Sequence, residues 1–264
     1  MPTQGEKYYF VSSLAKGLRV MELLAECGEM SAATVGCHLG TSRAASHRFL
    51  TTLRDLGYVE KTEAGRFRLT FKVVELGMRK LDGFEIRHIA HPFMQELALA
   101  FGETVNLGHW DSGSIMHLDK VNSTEILRLD VGMGAQAPAY CTGLGKAVLA
   151  FLPEALLDSY LASLDMVAMS PKTITTPEKL KAEIALIRKK GYAVDNEELT
   201  LGLRCVAAPV FDHTGLPSYA LSVSGPSLRM TKARIKEITT KLLPICRQIS
   251  HQIGAPESET PRSA

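Results

Sequence analysis

The 264-residue chain has only five cysteines, one tryptophan and no long apolar run, and these scarcities exclude several classes of protein. Cys27, Cys37, Cys141, Cys205 and Cys246 are odd in number, widely spaced and form no C-x2-C pair. Neither a disulfide framework nor a zinc site is indicated, and reduced thiols are expected. The apolar stretch Ala147–Leu152 is a fraction of the roughly 20 residues that a membrane helix needs. The first residues, Met1-Pro-Thr-Gln-Gly-Glu-Lys7, lack the apolar segment of an export signal. A soluble cytoplasmic protein without a membrane partner is the expectation. A dominant charge is missing too, because 30 Lys+Arg face 28 Asp+Glu and leave a net charge of only +2.

That sum hides a division. Residues 1–80 carry 12 Lys/Arg against 8 Asp/Glu, net +4, whereas residues 81–264 carry 18 against 20, net −2. The length, with 45% apolar residues, is ample for a core and long for one average domain, so two domains are expected.

The basic third is patterned as helices. Ser13–Cys27 places Leu14, Leu18, Met21, Leu24 and Ala25 at helical spacing behind a serine able to cap, and Gly28 ends the helix. Ser31 starts a short second helix with Ala33, Val35 and Leu39, closed at Gly40. Ser42 caps a third, Arg43–Leu56, whose buried stripe reads as Ala45, Phe49, Leu50, Leu53 and Leu56. Its other face carries Arg43, His47, Thr51 and Arg54, with Arg48 beside them. Two helices joined by Gly40-Thr41, the second basic on its outer face, predict a helix-turn-helix. Tyr58–Lys61 and Arg66–Leu69 flank a turn with Gly65 and predict a hairpin lined by Lys61, Arg66 and Arg68, placed as a wing beside phosphates. Residues 41–80 alone hold 9 Lys/Arg against 4 Asp/Glu, which supports a nucleic-acid partner.

Helical spacing returns from Thr70 to Leu81, interrupted by Gly77, and the domain boundary is expected there. A helix Ile86–Phe101, kinked at Pro92, opens the second domain. Strands over Thr104–Trp110, Ser114–Val121 and Ile126–Asp130 predict an antiparallel meander. Helices follow at Gly143–Phe151, Pro153–Leu164 and Pro177–Lys190, then strands at Tyr192–Asn196, Cys205–Phe211 and Ser218–Val223 and a last helix Thr231–Ile253. The class is α+β. The expected division is an arm at 1–12, a winged helix-turn-helix domain at 13–70, a linker helix at 71–84, a second domain at 85–254 and a disordered tail at 255–264.

Several segments in this order resemble the IclR family of bacterial transcriptional regulators. They include Ser13-Leu-Ala-Lys-Gly-Leu-Arg-Val20, His47-Arg48 with Leu56-Gly-Tyr-Val59, Gly65-Arg-Phe-Arg-Leu69, Gly102-Glu-Thr-Val-Asn106, Cys141-Thr-Gly-Leu-Gly-Lys-Ala147, Gly191-Tyr-Ala-Val-Asp-Asn-Glu-Glu198, Gly202-Leu-Arg-Cys205, Ala207-Ala-Pro-Val-Phe-Asp212 and Ser222-Val-Ser-Gly-Pro226. The resemblance implies a winged helix-turn-helix, a linker helix, a GAF-like effector-binding domain, and dimers or dimers of dimers on double-stranded operator DNA. Where the family usually has a Ser-Thr-Val-like run before His-Arg, this chain has Ala44, Ala45 and Ser46, with fewer hydroxyls at the helix tip. The DNA-contacting candidates are Ser42, Arg43, Ala44, Ser46, His47, Arg48 and Arg54, with Lys61, Arg66 and Arg68 on the wing.

The same resemblance puts effector contacts at Gly143, Leu144, Asp195 and Cys205, with Leu129 and Ala137 lining the pocket and Cys141 adjacent. Thr142 would cap a helix whose free N–H groups attract a carboxylate, Gly143 would let a ligand approach the backbone, and Leu144 would form an apolar wall. Asp195 offers a hydroxyl acceptor and Cys205 a soft surface. A small hydroxy or keto acid, aliphatic or aromatic, is the expected effector. Against this, the acidic run Asp195–Glu198 also reads as a solvated turn, and Lys146 reads as a surface residue.

Other chemistries are poorly supported. Gly143-Leu-Gly-Lys146 lacks the spacing of a phosphate loop, and no G-x-S-x-G elbow occurs. His88 and His91 could share a metal with His109 or His117, yet no ligand motif supports it, and no cofactor or metal is expected. The rival to a metabolite sensor is a redox sensor using Cys141 and Cys205; an enzyme built on the second domain is a weaker alternative.

Overall fold

The computed structural model describes residues 10–76, 85–125 and 131–256. The arm up to Tyr9, linker residues 77–84, the strand expected at Ile126–Asp130 with Leu129, and the tail from Glu257 lie outside the described residues. The chain divides into two compact units, Met1–Phe84 and Glu85–Ala264.

The first unit contains α1 (Ser12–Cys27), α2 (Ala32–Leu39), α3 (Arg43–Asp55), β1 (Val59–Lys61) and β2 (Phe67–Leu69). The expected serine cap of α1 is absent, because the helix begins one residue earlier, at Ser12, and Val11 precedes it without a side-chain cap. Ser31 and Ser42 do cap, accepting from Thr34 N and Ala45 N, and Gly40 closes α2 in the left-handed region at φ +61°. Gly36 makes the tight α2–α3 approach possible. A Cβ there would stand 2.9 Å from the Thr41 carbonyl oxygen and 3.2 Å from Ser46 Oγ. Val20, Leu23, Leu24, Met30, Ala32, Val35, Leu50, Leu53, Val59 and Phe67 form the core. The wing is anchored to it by the pair of backbone hydrogen bonds between Met30 and Phe67.

Two expected core positions of α1 face outward: Leu14 is 62% and Leu18 54% exposed. Leu56, assigned to the stripe of α3, is also exposed, whereas Ser46 is fully buried. The buried line of α3 therefore runs through Ser46, Leu50 and Leu53, with Phe49 partly buried beside it. Residues 72–76 are helical.

The second unit starts with α4 (Glu85–Phe101), which continues through Pro92, followed by β3 (Thr104–Asp111), β4 (Ser114–Val121) and β5 (Gln136–Pro138). Then come α5 (Gly143–Leu149), α6 (Glu154–Ser163), α7 (Pro177–Lys190), β6 (Ala193–Asn196), β7 (Leu203–Val210), β8 (Tyr219–Pro226) and α8 (Lys232–Gln252). The six strands form one antiparallel sheet in the order β5-β4-β3-β8-β7-β6. Helices α4 and α8 cover one face: His91 on α4 meets Asp119 of β4, and Phe211 N donates to Ser250 Oγ on α8. The other face holds α5, backed by α7, over a core that includes Ile115, Leu144, Val148, Leu149, Leu180, Ile184, Ile187 and Ala207. Strand alternation decides which side chains meet α5.

Candidate functional site

The outer face of α3 is built by its own packing. With Ser46, Leu50 and Leu53 turned inward, the 3.6-residue period leaves Ser42, Arg43, Ala44, His47, Arg48 and Arg54 exposed. The guanidinium groups of Arg43 and Arg48 have no hydrogen-bond or ion-pair partner among the described residues. His47 stays exposed while its ring meets the Phe67 ring edge-on at 6.0 Å, which ties the helix to the base of the wing. Ser46 leaves the candidate set. Its hydroxyl shares a 2.8 Å hydrogen bond with Thr41 Oγ1 inside the turn, so its role is to hold the turn and not to meet a base.

The remaining cations differ in their freedom. Arg54 is held by neighbouring Asp55 at 2.9 Å. Arg68 donates to Glu60 at 2.6 Å and lies 3.6 Å from Glu29, and Arg66 donates to the Glu29 carbonyl oxygen. Lys61 lies over the Phe67 ring at 5.9 Å, with its ammonium group exposed. The free cations thus sit at the start of α3 and the partly neutralised ones at its end and on the wing.

In the second unit, sheet register brings together two of the expected effector residues, Asp195 and Cys205. Asp195 pairs with Cys205, Cys205 with Ser224 and Ser224 with Thr104, while Ala207 pairs with Ser222 and Ser222 with Asn106. Directly paired residues share a face, so Asp195, Cys205, Ser222, Ser224 and Asn106 lie on the α5 side. The bulge at Leu107/Gly108 adds His117 to that side. All are buried. Asn106 Nδ2 donates to Ser224 Oγ at 3.4 Å, while Asn106 Oδ1 and His117 Nδ1 have no hydrogen-bond partner among the described residues.

Thr142 caps α5 by accepting from Gly145 N at 3.1 Å. The room beside Gly143 is filled by protein: a Cβ there would stand 2.5 Å from Cys205 Sγ, so the glycine is required for packing α5 onto β7. Leu144 is buried and packs against Gly108. Ala137 is on β5, at the opposite edge of the sheet from Asp195, and lines a separate surface cleft of about 520 Å³ with Tyr140, Leu164 and Val167.

Lys146 overturns its reading as a surface residue. It is fully buried, donates to the Val194 carbonyl oxygen at 2.8 Å and is hydrogen-bonded to Glu198 Oε1, with Glu183 at 3.8 Å. Asp195 is likewise no solvated turn. It is 2% exposed, accepts from Glu198 N at 2.7 Å, and burial pushes its carboxyl up to about 6. Burial also raises the Cys141 and Cys205 thiols to about 12, which argues against thiolate chemistry at either. Among the described residues no three His, Cys, Asp or Glu side chains cluster to hold a metal. His117 is pushed down to about 4 by burial and by Lys120.

Ser222, Ser224, Asn106, His117 and Lys146 were missed as members of this polar row. The Ser-Val-Ser alternation carried a weak signal, since both of its faces are buried. The partner of Lys146 stands 52 residues away and left no local signal.

A winged helix-turn-helix with unpaired cations at the start of α3, joined in one chain to an α+β unit with a closed polar row, defines a two-domain DNA-binding regulator. Two family models match: the IclR helix-turn-helix domain over residues 13–63 and the bacterial transcriptional regulator IclR C-terminal domain over residues 78–251. The chain belongs to the IclR family, and it is a DNA-binding transcriptional regulator with a C-terminal effector domain, not an enzyme. It is 35% identical over 245 residues to the HTH-type transcriptional regulator KdgR of Escherichia coli K12, covering 92% of this chain and 93% of that one. The transcriptional repressor IclR of the same organism is 32% identical, with 92% and 90% covered. The crystal structure of the Thermotoga maritima IclR superimposes with a TM-score of 0.79 at 32% identity, covering 92% of this chain and 99% of that one. Among the described residues no helix is long and apolar enough to cross a membrane.

Proposed function

We propose that this regulator reads double-stranded operator DNA with the start of α3 and answers to a small organic acid held in its second unit. The observation that carries the first part is the pair Arg43 and Arg48, exposed and unpaired on a helix whose opposite face is fixed in the core. Arginine in a major groove donates two hydrogen bonds to guanine, and Ser42, Ala44 and His47 would contact the adjoining backbone and bases. Arg54, Lys61, Arg66 and Arg68 would follow the phosphates. Fluorescence anisotropy on a fragment selected from genomic DNA tests this: Arg43→Ala and Arg48→Ala should each weaken binding at fixed salt, and unchanged affinity in both excludes the assignment.

The effector reading rests on the buried polar row. Asp195, Ser222, Ser224 and Asn106 supply acceptors and donors for hydroxyl or keto oxygens, and Cys205, Leu144 and Cys141 supply soft or apolar walls. The family positions of Ala137 and Leu129 belong to the same proposal. Calorimetric titration with a panel of hydroxy and keto acids tests it; binding confined to neutral or cationic compounds would reject a carboxylate effector. Ligand occupancy would bias operator affinity through its unequal binding to two arrangements of the regulator.

Homodimers or dimers of dimers in the cytoplasm complete the reading. The exposed Leu14 and Leu18 of α1, with Phe71 and Val74, offer apolar surface to a second copy. Sedimentation of a Leu14→Glu, Leu18→Glu variant should show smaller assemblies; an unchanged mass removes α1 from the contact.

A further inference from the structure

On the side of the sheet away from Asp195, the end of α7, the edge strand β6 and the first turns of α8 enclose a cleft of about 530 Å³. Its floor is Tyr192, Val194 and Ile235, and its rim is Lys190, Lys232 and Lys236. None of the three ammonium groups has a hydrogen-bond or ion-pair partner among the described residues. The acids on neighbouring elements are already engaged: Glu197 with Lys172 at 2.6 Å and Arg204 at 3.4 Å, Glu237 with Arg234 at 2.8 Å, and Glu183 toward Lys146. Arg204 closes the base of the cleft and is held in place by Asn196 Oδ1 at 2.8 Å and the Met230 carbonyl oxygen at 2.7 Å.

We infer that this cleft is a second ligand site, distinct from the polar row, for a small molecule that joins a phosphate to an apolar body. Three lysines around one opening, with no acid paired to them, set up a positive potential there that an anion of two charges relieves. The start of α8, where Lys232 is the first helical residue behind Thr231, adds its dipole to the same rim. The Tyr192 ring and the Val194 and Ile235 side chains give the remainder of the ligand an apolar seat, and the volume falls within the usual range for small-molecule sites. A bare inorganic ion would leave that floor wet. Alternation along β6 turns Val194 and Asn196 into the cleft and Asp195 away from it, so the two sites lie back to back on one strand. They also share a bond, because the carbonyl oxygen of Val194 accepts from Lys146.

The full-length protein titrated calorimetrically with phenyl phosphate and, separately, with inorganic phosphate tests this site without reference to DNA or to the acid effector. Phenyl phosphate should bind saturably and about tenfold more tightly than inorganic phosphate, with affinity falling as salt rises. The triple variant Lys190→Ala, Lys232→Ala, Lys236→Ala should lose at least about tenfold in affinity while keeping the wild-type circular dichroism and melting temperature, since all three side chains are exposed. Lys241→Ala, an exposed lysine further along α8, should change nothing. Equal binding by the triple variant, an equal loss in Lys241→Ala, or no preference for phenyl phosphate over inorganic phosphate would overturn the assignment.

Discussion

The start of α3 and the buried core beside α5 handle cations in opposite ways. On α3, the Arg43 and Arg48 side chains are exposed with no acceptor among the described residues, whereas in the second unit Lys146 is fully buried and closed onto Glu198 and the Val194 carbonyl oxygen. An exposed guanidinium costs nothing to leave unpaired, so it remains available to a partner. A buried ammonium must be satisfied inside the fold. Unpaired groups therefore carry different weight in the two places: on α3 they cost little, whereas on the sheet Asn106 Oδ1, His117 Nδ1 and Glu198 Oε2 are buried without a partner among the described residues.

The most severe way to break this comparison is to remove a charge from each unit. Lys146→Ala leaves Glu198 buried without its cation and should destabilise the second unit by about 3–5 kcal/mol. Arg48→Ala should leave stability within about 0.5 kcal/mol of wild type. Urea unfolding of the full chain measures both. A Lys146 variant as stable as the wild type would mean that the cluster is open to water.

The next test uses the opposed titrations of the polar row. Asp195 is raised from 3.8 to about 6, so the folded state favours its protonated form and the stability it contributes falls as pH rises through that window. His117 is lowered from 6.5 to about 4, so its contribution is present above 6.5 and lost as pH falls toward 4. The two slopes oppose each other. Asp195→Asn should gain stability relative to wild type by about 3 kcal/mol between pH 4 and pH 6, and His117→Gln should change with the opposite sign over the same interval. Parallel pH profiles for variant and wild type would show that these groups are solvated.

What the sequence makes legible follows the same divide. The limits of α7 were written locally, in Thr176 as cap, Pro177 at the first turn and Gly191 at the end, and the structure starts and stops the helix there. The helix-turn-helix and wing were equally local, built from Ser31, Gly40, Ser42 and Gly65. Ser46 was misplaced because helical periodicity alone cannot say that α2 comes close enough, at Gly36, to bury a hydroxyl in the turn. Lys146 was misplaced because its burial depends on β6 returning to α5, a pairing settled by topology and not by neighbours in the chain. The resemblance names Asp195 and Cys205 as effector contacts without saying that they adjoin; the register pairs them and continues their row through Ser224 and Asn106.

Within α3 the contrast between free and paired cations predicts a graded effect on operator binding. Arg43→Ala or Arg48→Ala should each cost about 1–3 kcal/mol and relax sequence preference if the side chain meets bases. Arg54→Ala, which releases Asp55 as it removes the cation, should cost less and lower the salt dependence by about one phosphate contact. Anisotropy over a salt series separates the two behaviours. An equal loss for Arg54 and Arg48 would show that pairing in the free protein does not rank its contacts with DNA.

The smallest effect separates the units by the same chemical deletion. Ser42 and Thr142 each cap a helix with one hydroxyl, accepting from Ala45 N at 3.2 Å and from Gly145 N at 3.1 Å. When Ser42 is replaced by alanine, water reaches the freed amide at the exposed start of α3, and the loss should be about 0.5–1 kcal/mol. Thr142→Ala strands Gly145 N in the core and removes the hydrogen bond donated to the Pro138 carbonyl oxygen, so about 2 kcal/mol or more is expected. The comparison holds if denaturant midpoints show the larger loss at Thr142. Equal losses would mean that water or bound ligand reaches the start of α5, and the row beside it would then be an open pocket even without effector.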